Sequence, residues 1–504
     1  MSIIRLMHRF DYNLFFIRYR LNRIIMTFSF PDIVFTLIVL LLFYLLHPAC
    51  RLYILAAASM YYAYILDPAT AISLIAVTAL IYIAALIMER LKPSDKPSSV
   101  RPDRIVMFIT VVICVISLIL LKYLPNISGY LREDSILKSV ILPLGYSYYI
   151  FQAISYIVDV YENKSTAENN PVMLLLYLAW FPKLSSGPIE RHNNVHIQIN
   201  NIKNVRLHDP DRWTTAFTFI IFGCFYKMMI ADRIAYVVDQ TFTSPTEYGS
   251  LWLILGIFGY TLQIYSDFAG YSMLAIGVSL LFGIRLSANF ASPYCSENIT
   301  EFWRRWHMSL SFFLRDYLYI PLGGNRHGEF RKVINTLVVF LVCGLWHGIG
   351  FGFVFWGLLH GLYSAFDGIA RKRNWTWIRT GVSGRIITFL SVSFAWIFFR
   401  AASLIWGLVY IRTVFRNIAD ENTFMGDYEL LDIPKGETPI LLLSLAVMIL
   451  IDIYTYKKDT DIASIVSKWP IVCRYLLICT FLVLIMIYGI YGPDTSAALI
   501  YSQF

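Results

Sequence analysis

Long apolar runs recur along this chain, near residues 33–46, 51–66, 70–88, 105–121, 136–158, 171–185, 214–231, 251–283, 333–366, 384–411, 438–455 and 471–491. That one feature removes most folds from consideration. A bilayer core takes roughly 20 apolar residues per helical span, and backbone groups in lipid must be satisfied inside a helix or a closed barrel. The runs are continuous and do not alternate with period two, which selects helices. Only 15% of the side chains are charged, against about 25% in a water-soluble domain. The sequence therefore predicts an all-α fold, a polytopic transmembrane bundle of about a dozen membrane helices with re-entrant segments. The runs 251–283 and 333–366 exceed one perpendicular span, so each is expected to divide into two helices or a helix and a re-entrant piece.

The formal net charge of +9 does not point to nucleic acid. Lys and Arg gather in loops, as they do on the cytoplasmic side of membrane proteins, and the expected partner is membrane lipid. Residues 90–104 read as a basic cytoplasmic loop, and residues 416–437, with Asp420, Glu421, Asp427, Glu429 and Asp432, as an acidic loop on the other side. The seven cysteines are scattered and form no CxxC pair. They read as small buried hydrophobes, and no metal site is named from the sequence. Residues 1–25 differ from the rest, with Arg5, Arg9, Arg18, Arg20 and Arg23 ahead of Met26. They read as a basic extension, with translation expected to start at Met26, followed by one domain over 26–504.

Ionisable groups in apolar surroundings carry the functional signal. Between Val333 and Phe366 there is no Asp, Glu, Lys or Arg, yet His347 and His360 are present. Gly344, Gly348, Gly350 and Gly352 flank His347. They let another backbone approach closely and make a helix break plausible beside the imidazole. A histidine there suits general acid–base work near neutral pH; a core histidine held by one hydrogen bond between helices is the equally open alternative. Asp267 is the only charge in 251–283 and reads first as a packing anchor, through Arg285 or Tyr271. In Phe302-Trp303-Arg304-Arg305-Trp306-His307, two cations among aromatics fit cation–π stacking, an interfacial belt or an anion site for the phosphates of a coenzyme A arm. No P-loop, GxSxG, HExxH or GxGxxG pattern occurs, which argues against an ATPase, a serine hydrolase, a zincin or a dinucleotide enzyme.

Taken together, several runs resemble the alginate O-acetylation branch of the membrane-bound O-acyltransferases. They are Leu142-Pro143-Leu144-Gly145, Phe181-Pro182-Lys183, Ser186-Gly187-Pro188-Ile189-Glu190-Arg191, Ile230-Ala231-Asp232-Arg233, and Gln263 to Ser272 with Asp267 at its centre. Then follow Phe302 to Ser311, Arg315-Asp316-Tyr317-Leu318-Tyr319-Ile320-Pro321-Leu322-Gly323-Gly324-Asn325-Arg326, Leu345-Trp346-His347-Gly348, and the ending at 500–504.

The resemblance implies that His347 is the essential histidine and His307 a supporting one, in a helical fold with His347 in a central tunnel. It implies acetyl-CoA as the cytoplasmic acyl donor; the reading of Arg304 and Arg305 as an anion site for its phosphates stays open, and with none of those cofactor motifs present no bound cofactor is expected. It further implies a polysaccharide acceptor, a separate SGNH-type extracytoplasmic acetyltransferase as partner, and a multi-pass location in the cell (plasma or inner) membrane. D-alanyl transfer to teichoic acid from a carrier protein, and a transporter with no chemistry, are the rival readings.

Overall fold

A computed structural model of the chain describes residues 30–92, 101–127, 142–418 and 436–491. Every regular element among them is helical, as the continuous apolar runs predict. The arginines ahead of Met26, the acidic residues at 420–432 and the ending at 500–504 lie outside the described residues.

Among the described residues, eight helices are long and apolar enough to cross a membrane, and Phe30–Leu45 and Pro171–Lys183 are shorter apolar helices. The protein is thus a multi-pass membrane protein by its helices. They differ in what their apolar surface meets. Of the apolar window in Ile471–Tyr488 only 6% is buried, and in Pro102–Tyr123 17%, whereas in Ser250–Leu281 the share is 94%. The first two present their side chains outward, which is stable only where lipid is the solvent; the third is core.

The run 333–366 divides as expected, into Gly328–His347 and Phe351–Lys372. The run 251–283 does not. It is one helix, Ser250–Leu281, of 32 residues, about 48 Å long at 1.5 Å per residue. Its glycines sit where neighbours come close instead of breaking it. A Cβ on Gly270 would stand 2.9 Å from the Gly223 carbonyl oxygen, and one on Gly223 would stand 2.8 Å from that of Gly270.

The described residues group into two compact units. One comprises the described parts of Phe28–Phe217 and Ala275–Ser287. Its helix starts are legible in the sequence. Asp67 precedes Pro68, and its carboxylate accepts from the Ala69 and Thr70 amides at 3.1 and 3.2 Å; Asn170 precedes Pro171 and accepts from the Val172 amide at 3.0 Å. A capping oxygen followed by proline at the first helical position satisfies donors the helix itself cannot. Arg51, buried at the head of Arg51–Leu66, donates to the carbonyls of Phe43, Ile202, Lys203 and Val205 at 2.8–3.2 Å. A buried guanidinium with its donors so engaged is a rivet between chain segments.

The other unit comprises the described parts of Thr218–Leu274 and Ala288–Phe504. It holds both histidines of the candidate site. Two π-helical turns interrupt its regular helices, Phe225–Ala231 and Arg315–Tyr319; such turns concentrate at functional sites.

Candidate active site

The Gly328–His347 helix ends on His347 itself, and Phe351–Lys372 begins three residues later. The two helices pack through bare backbone. A Cβ on Gly344 would lie 2.4 Å from the Phe353 carbonyl oxygen, and one on Gly357 2.4 Å from that of Phe340. Gly348 continues in extended backbone, φ 176°, with the Phe353 ring filling the space its side chain would need. The glycines flanking His347 thus do what their spacing suggests: they bring two helices together and end one of them at the imidazole.

His347 is buried, 2% exposed, in an aromatic box. Its ring meets Trp356 edge-on with centroids 5.2 Å apart, Phe399 at 5.0 Å and Trp346 at 4.8 Å. The Trp346 indole also meets the ring of His307, at 6.3 Å. The two histidines, 40 positions apart in sequence, therefore share one indole. His307 is buried too and packs edge-on against Phe268 at 4.7 Å.

His307 stands in the turn between Ile299–Arg305 and Met308–Leu314, with φ 40° and ψ 56°. A left-handed backbone is uncommon for a residue with a Cβ and costs of order 1–3 kcal/mol. Asn289 holds it there. The Asn289 carbonyl accepts from the Met308 amide at 2.9 Å, and its side-chain oxygen accepts from the Ser309 hydroxyl at 2.6 Å. Its amide nitrogen donates to the Ser272 hydroxyl at 3.2 Å. Nothing in the sequence marked Asn289.

His360 stands deeper in the same aromatic set, 4.9 Å from Trp356 and 5.0 Å from Trp303 by ring centroids. Its Nδ1 accepts from the Trp303 indole N–H at 3.3 Å, the arrangement of a core histidine. Asp267 is an anchor, through a partner the sequence reading did not name. Lys227, in the first π-helical turn, lies with its Nζ 2.8 Å from Asp267 Oδ1 and 2.9 Å from Asp232 Oδ1, all three buried. One ammonium thus joins two of the quoted motif runs. Asp452, hidden in the apolar run 438–455, accepts from the hydroxyls of Tyr226 and Tyr265, each at 3.0 Å.

The two arginines part company. Arg305 pairs with Glu301 at 2.9 Å, donates to the Ala291 carbonyl and lies over the Tyr456 ring at 4.5 Å. Arg304 is exposed and has no ion pair among the described residues. In the other unit, Lys183 and Glu190 are both fully buried. Lys183 donates to the Gln152 side chain. Burial pushes the Glu190 carboxyl up, opposed by hydrogen bonds from Ser287 and Asn194 and by the charge of Lys183.

The arrangement around His347 brings two buried imidazoles to one indole, placed by a helix end and a strained turn, and suits acid–base chemistry. Residues 105–410 match the membrane-bound O-acyltransferase family. The chain belongs to that family. Its membrane-bound O-acyltransferase relatives differ in the acyl group and acceptor that their names carry. The chain is 43% identical over 277 residues to the probable alginate O-acetylase AlgI of Pseudomonas putida, covering 54% of this chain and 55% of that one. It is 38% identical over 293 residues to the peptidoglycan O-acetyltransferase of Helicobacter pylori, covering 53% and 55%. It is 30% identical over 271 residues to the teichoic acid D-alanyltransferase of Bacillus subtilis, covering 51% and 68%. In the first two pairs the chain spans about half the length of the relative it matches.

Proposed function

We propose that this chain is an O-acyltransferase of the cell (plasma or inner) membrane. It takes acetyl from acetyl-CoA on the cytoplasmic side for O-acetylation of a cell-surface polysaccharide. The observation that carries the reading is His347, buried at a helix end and sharing the Trp346 indole with His307, in a chain that matches O-acetylating relatives.

In this reading an acceptor hydroxyl attacks the acetyl carbonyl carbon of the thioester. His347 accepts the hydroxyl proton as the C–O bond forms. The C–S bond then breaks, the coenzyme thiolate leaves, and the proton returns to its sulfur. His307 steadies the charge that develops at the carbonyl oxygen, and a water-poor box makes that interaction stronger than in water. Arg304 is free to meet the donor's phosphates, whereas Arg305 is committed to Glu301. A tunnel past His347 would let the donor arrive from one side and the acceptor from the other. The onward transfer falls to a separate SGNH-type extracytoplasmic acetyltransferase. No resident cofactor enters these steps.

The D-alanyltransferase relative supports a second reading, transfer of D-alanine from a carrier's phosphopantetheine thioester to teichoic acid. The purified chain, given each thioester in turn, separates the two. Release of free CoA from acetyl-CoA supports acetyl transfer. Release of free carrier thiol from the aminoacylated carrier alone supports the second reading. Solute flux across proteoliposomes with neither thioester cleaved would leave the transporter reading standing.

A further inference from the structure

A second cluster of ligating side chains, untouched by the proposed reaction, lies within the unit built on Phe28–Phe217. His192 and His196 open the His192–Asn200 helix, and their four-residue spacing puts both imidazoles on one face. Glu168, just ahead of the Pro171–Ala179 helix, turns its carboxylate toward them. His196 Nδ1 lies 2.7 Å from Glu168 Oε2, and His192 Nε2 lies 3.8 Å from the same oxygen. One ligand atom from each residue falls within 4.8 Å of the other two.

Hydrogen bonding does not account for this convergence. Glu168 Oε1 is occupied, accepting from the Asn170 amide at 2.9 Å. Glu168 Oε2 and His196 Nδ1 are both buried and have no hydrogen-bond partner among the described residues. Their 2.7 Å approach is an ion pair only while His196 carries a proton on Nδ1. The Ser165 hydroxyl donates to the Thr166 carbonyl and lies 3.0 Å from His192 Nδ1. Ser165 is then the acceptor for an Nδ1–H, and His192 Nε2 is left as a bare lone pair facing a carboxylate oxygen. The Asn200 side-chain nitrogen lies 2.8 Å from His196 Nε2; turning that amide over puts its carbonyl oxygen there, so that Nε2 keeps the proton and Nδ1 becomes a ligand. Buried acceptors facing one another repel unless a cation lies between them. Glu168 is 7% and His192 3% exposed.

We propose that Glu168, His192 and His196 bind a zinc-class divalent transition metal ion, with water completing the fourth position. Two imidazoles and one carboxylate suit zinc and its neighbours; calcium and magnesium prefer all-oxygen sites. Donors about 2.0–2.2 Å from a tetrahedral ion stand about 3.4 Å apart. The Glu168–His196 contact must therefore open and the Glu168–His192 contact close, each by less than about 1 Å, and the two imidazole nitrogens, within 4.8 Å of each other, must approach by up to about 1.4 Å. Ser165 orients the His192 ring in the way outer partners of metal-bound histidines do. The ion would clip the segment ahead of Pro171–Ala179 to the helix that begins right after Glu190 and Arg191.

The test uses the full chain in detergent, any affinity tag removed and metal stripped by chelator, titrated with zinc chloride against a chromophoric competitor. One tightly held zinc per chain is expected. That equivalent disappears in the His192→Ala/His196→Ala double variant and weakens at least ~10-fold in Glu168→Gln. Glu168→Gln keeps the oxygen that accepts from Asn170, and an unchanged metal-free melting temperature shows that the fold is kept. Ser165→Ala weakens binding by roughly 10–100-fold. No stoichiometric zinc in the wild type, or an undiminished equivalent in the double variant, overturns the proposal.

Discussion

The imidazole of His347 meets the indole of Trp356 edge to face, with ring planes at 90° and centroids 5.2 Å apart. Trp356 is fully buried and also stacks on Trp396, 5.6 Å away. It is therefore a wall that fixes the His347 ring. Trp356→Ala should destabilise the fold by about 3–5 kcal/mol. Trp356→Phe keeps an aromatic edge and should leave stability closer to wild type while lowering kcat more than it raises KM. Thermal melts and steady-state acyl transfer on both variants check this.

The helix end at His347 depends on Gly344. A Cβ added at Gly344 would press 2.4 Å from the Phe353 carbonyl oxygen, a rigid backbone atom that cannot step aside. Gly344→Ala should push the paired helices apart at a cost of about 1–3 kcal/mol. Because the shift falls one turn from the imidazole, acyl transfer should fall further than stability does. An activity loss no larger than that of a remote variant of equal stability would count against this.

Lys227 balances two buried carboxylates. Lys227→Met removes the ammonium that the buried carboxylates of Asp232 and Asp267 both face and should cost about 3–5 kcal/mol. Adding Asp232→Asn and Asp267→Asn to that variant removes the buried charge and should recover much of the loss. Chemical or thermal unfolding of the single and triple variants reads the difference directly.

Asn289 holds the strained turn of His307 through Met308, Ser309 and Ser272. Asn289→Ala keeps the main-chain bond and loses the side-chain pair, at about 1–3 kcal/mol. Acyl transfer should fall with it, and adding His307→Ala should then cost less than it does in the wild-type background. Additive losses in that double-mutant cycle would show that Asn289 does not act through His307.

The helical class and most element limits were legible because lipid forces continuous apolar runs into helices. The break after His347 was legible because its glycines cluster. The run 251–283 misled because its length, read as too great for one span, belongs to a single 32-residue helix, whose glycines are close-packing positions such as Gly270 against Gly223. Asp267 was read as an anchor, but Lys227 lies 40 positions away inside an apolar run and no local pattern pairs them. Asn289 and Asp452 were invisible for the same reason. The metal cluster did have a signal, two histidines four positions apart in His192–Asn200; its third member, Glu168, comes from a separate segment that only the fold brings near.

In the proposed reaction His347 moves the proton of acyl transfer. The most direct test is the rate of CoA release from acetyl-CoA by purified wild type and His347→Gln, with equal melting temperatures confirming equal folding. The variant should lose about 10²–10⁴-fold in kcat. A variant that turns over at the wild-type rate would contradict it.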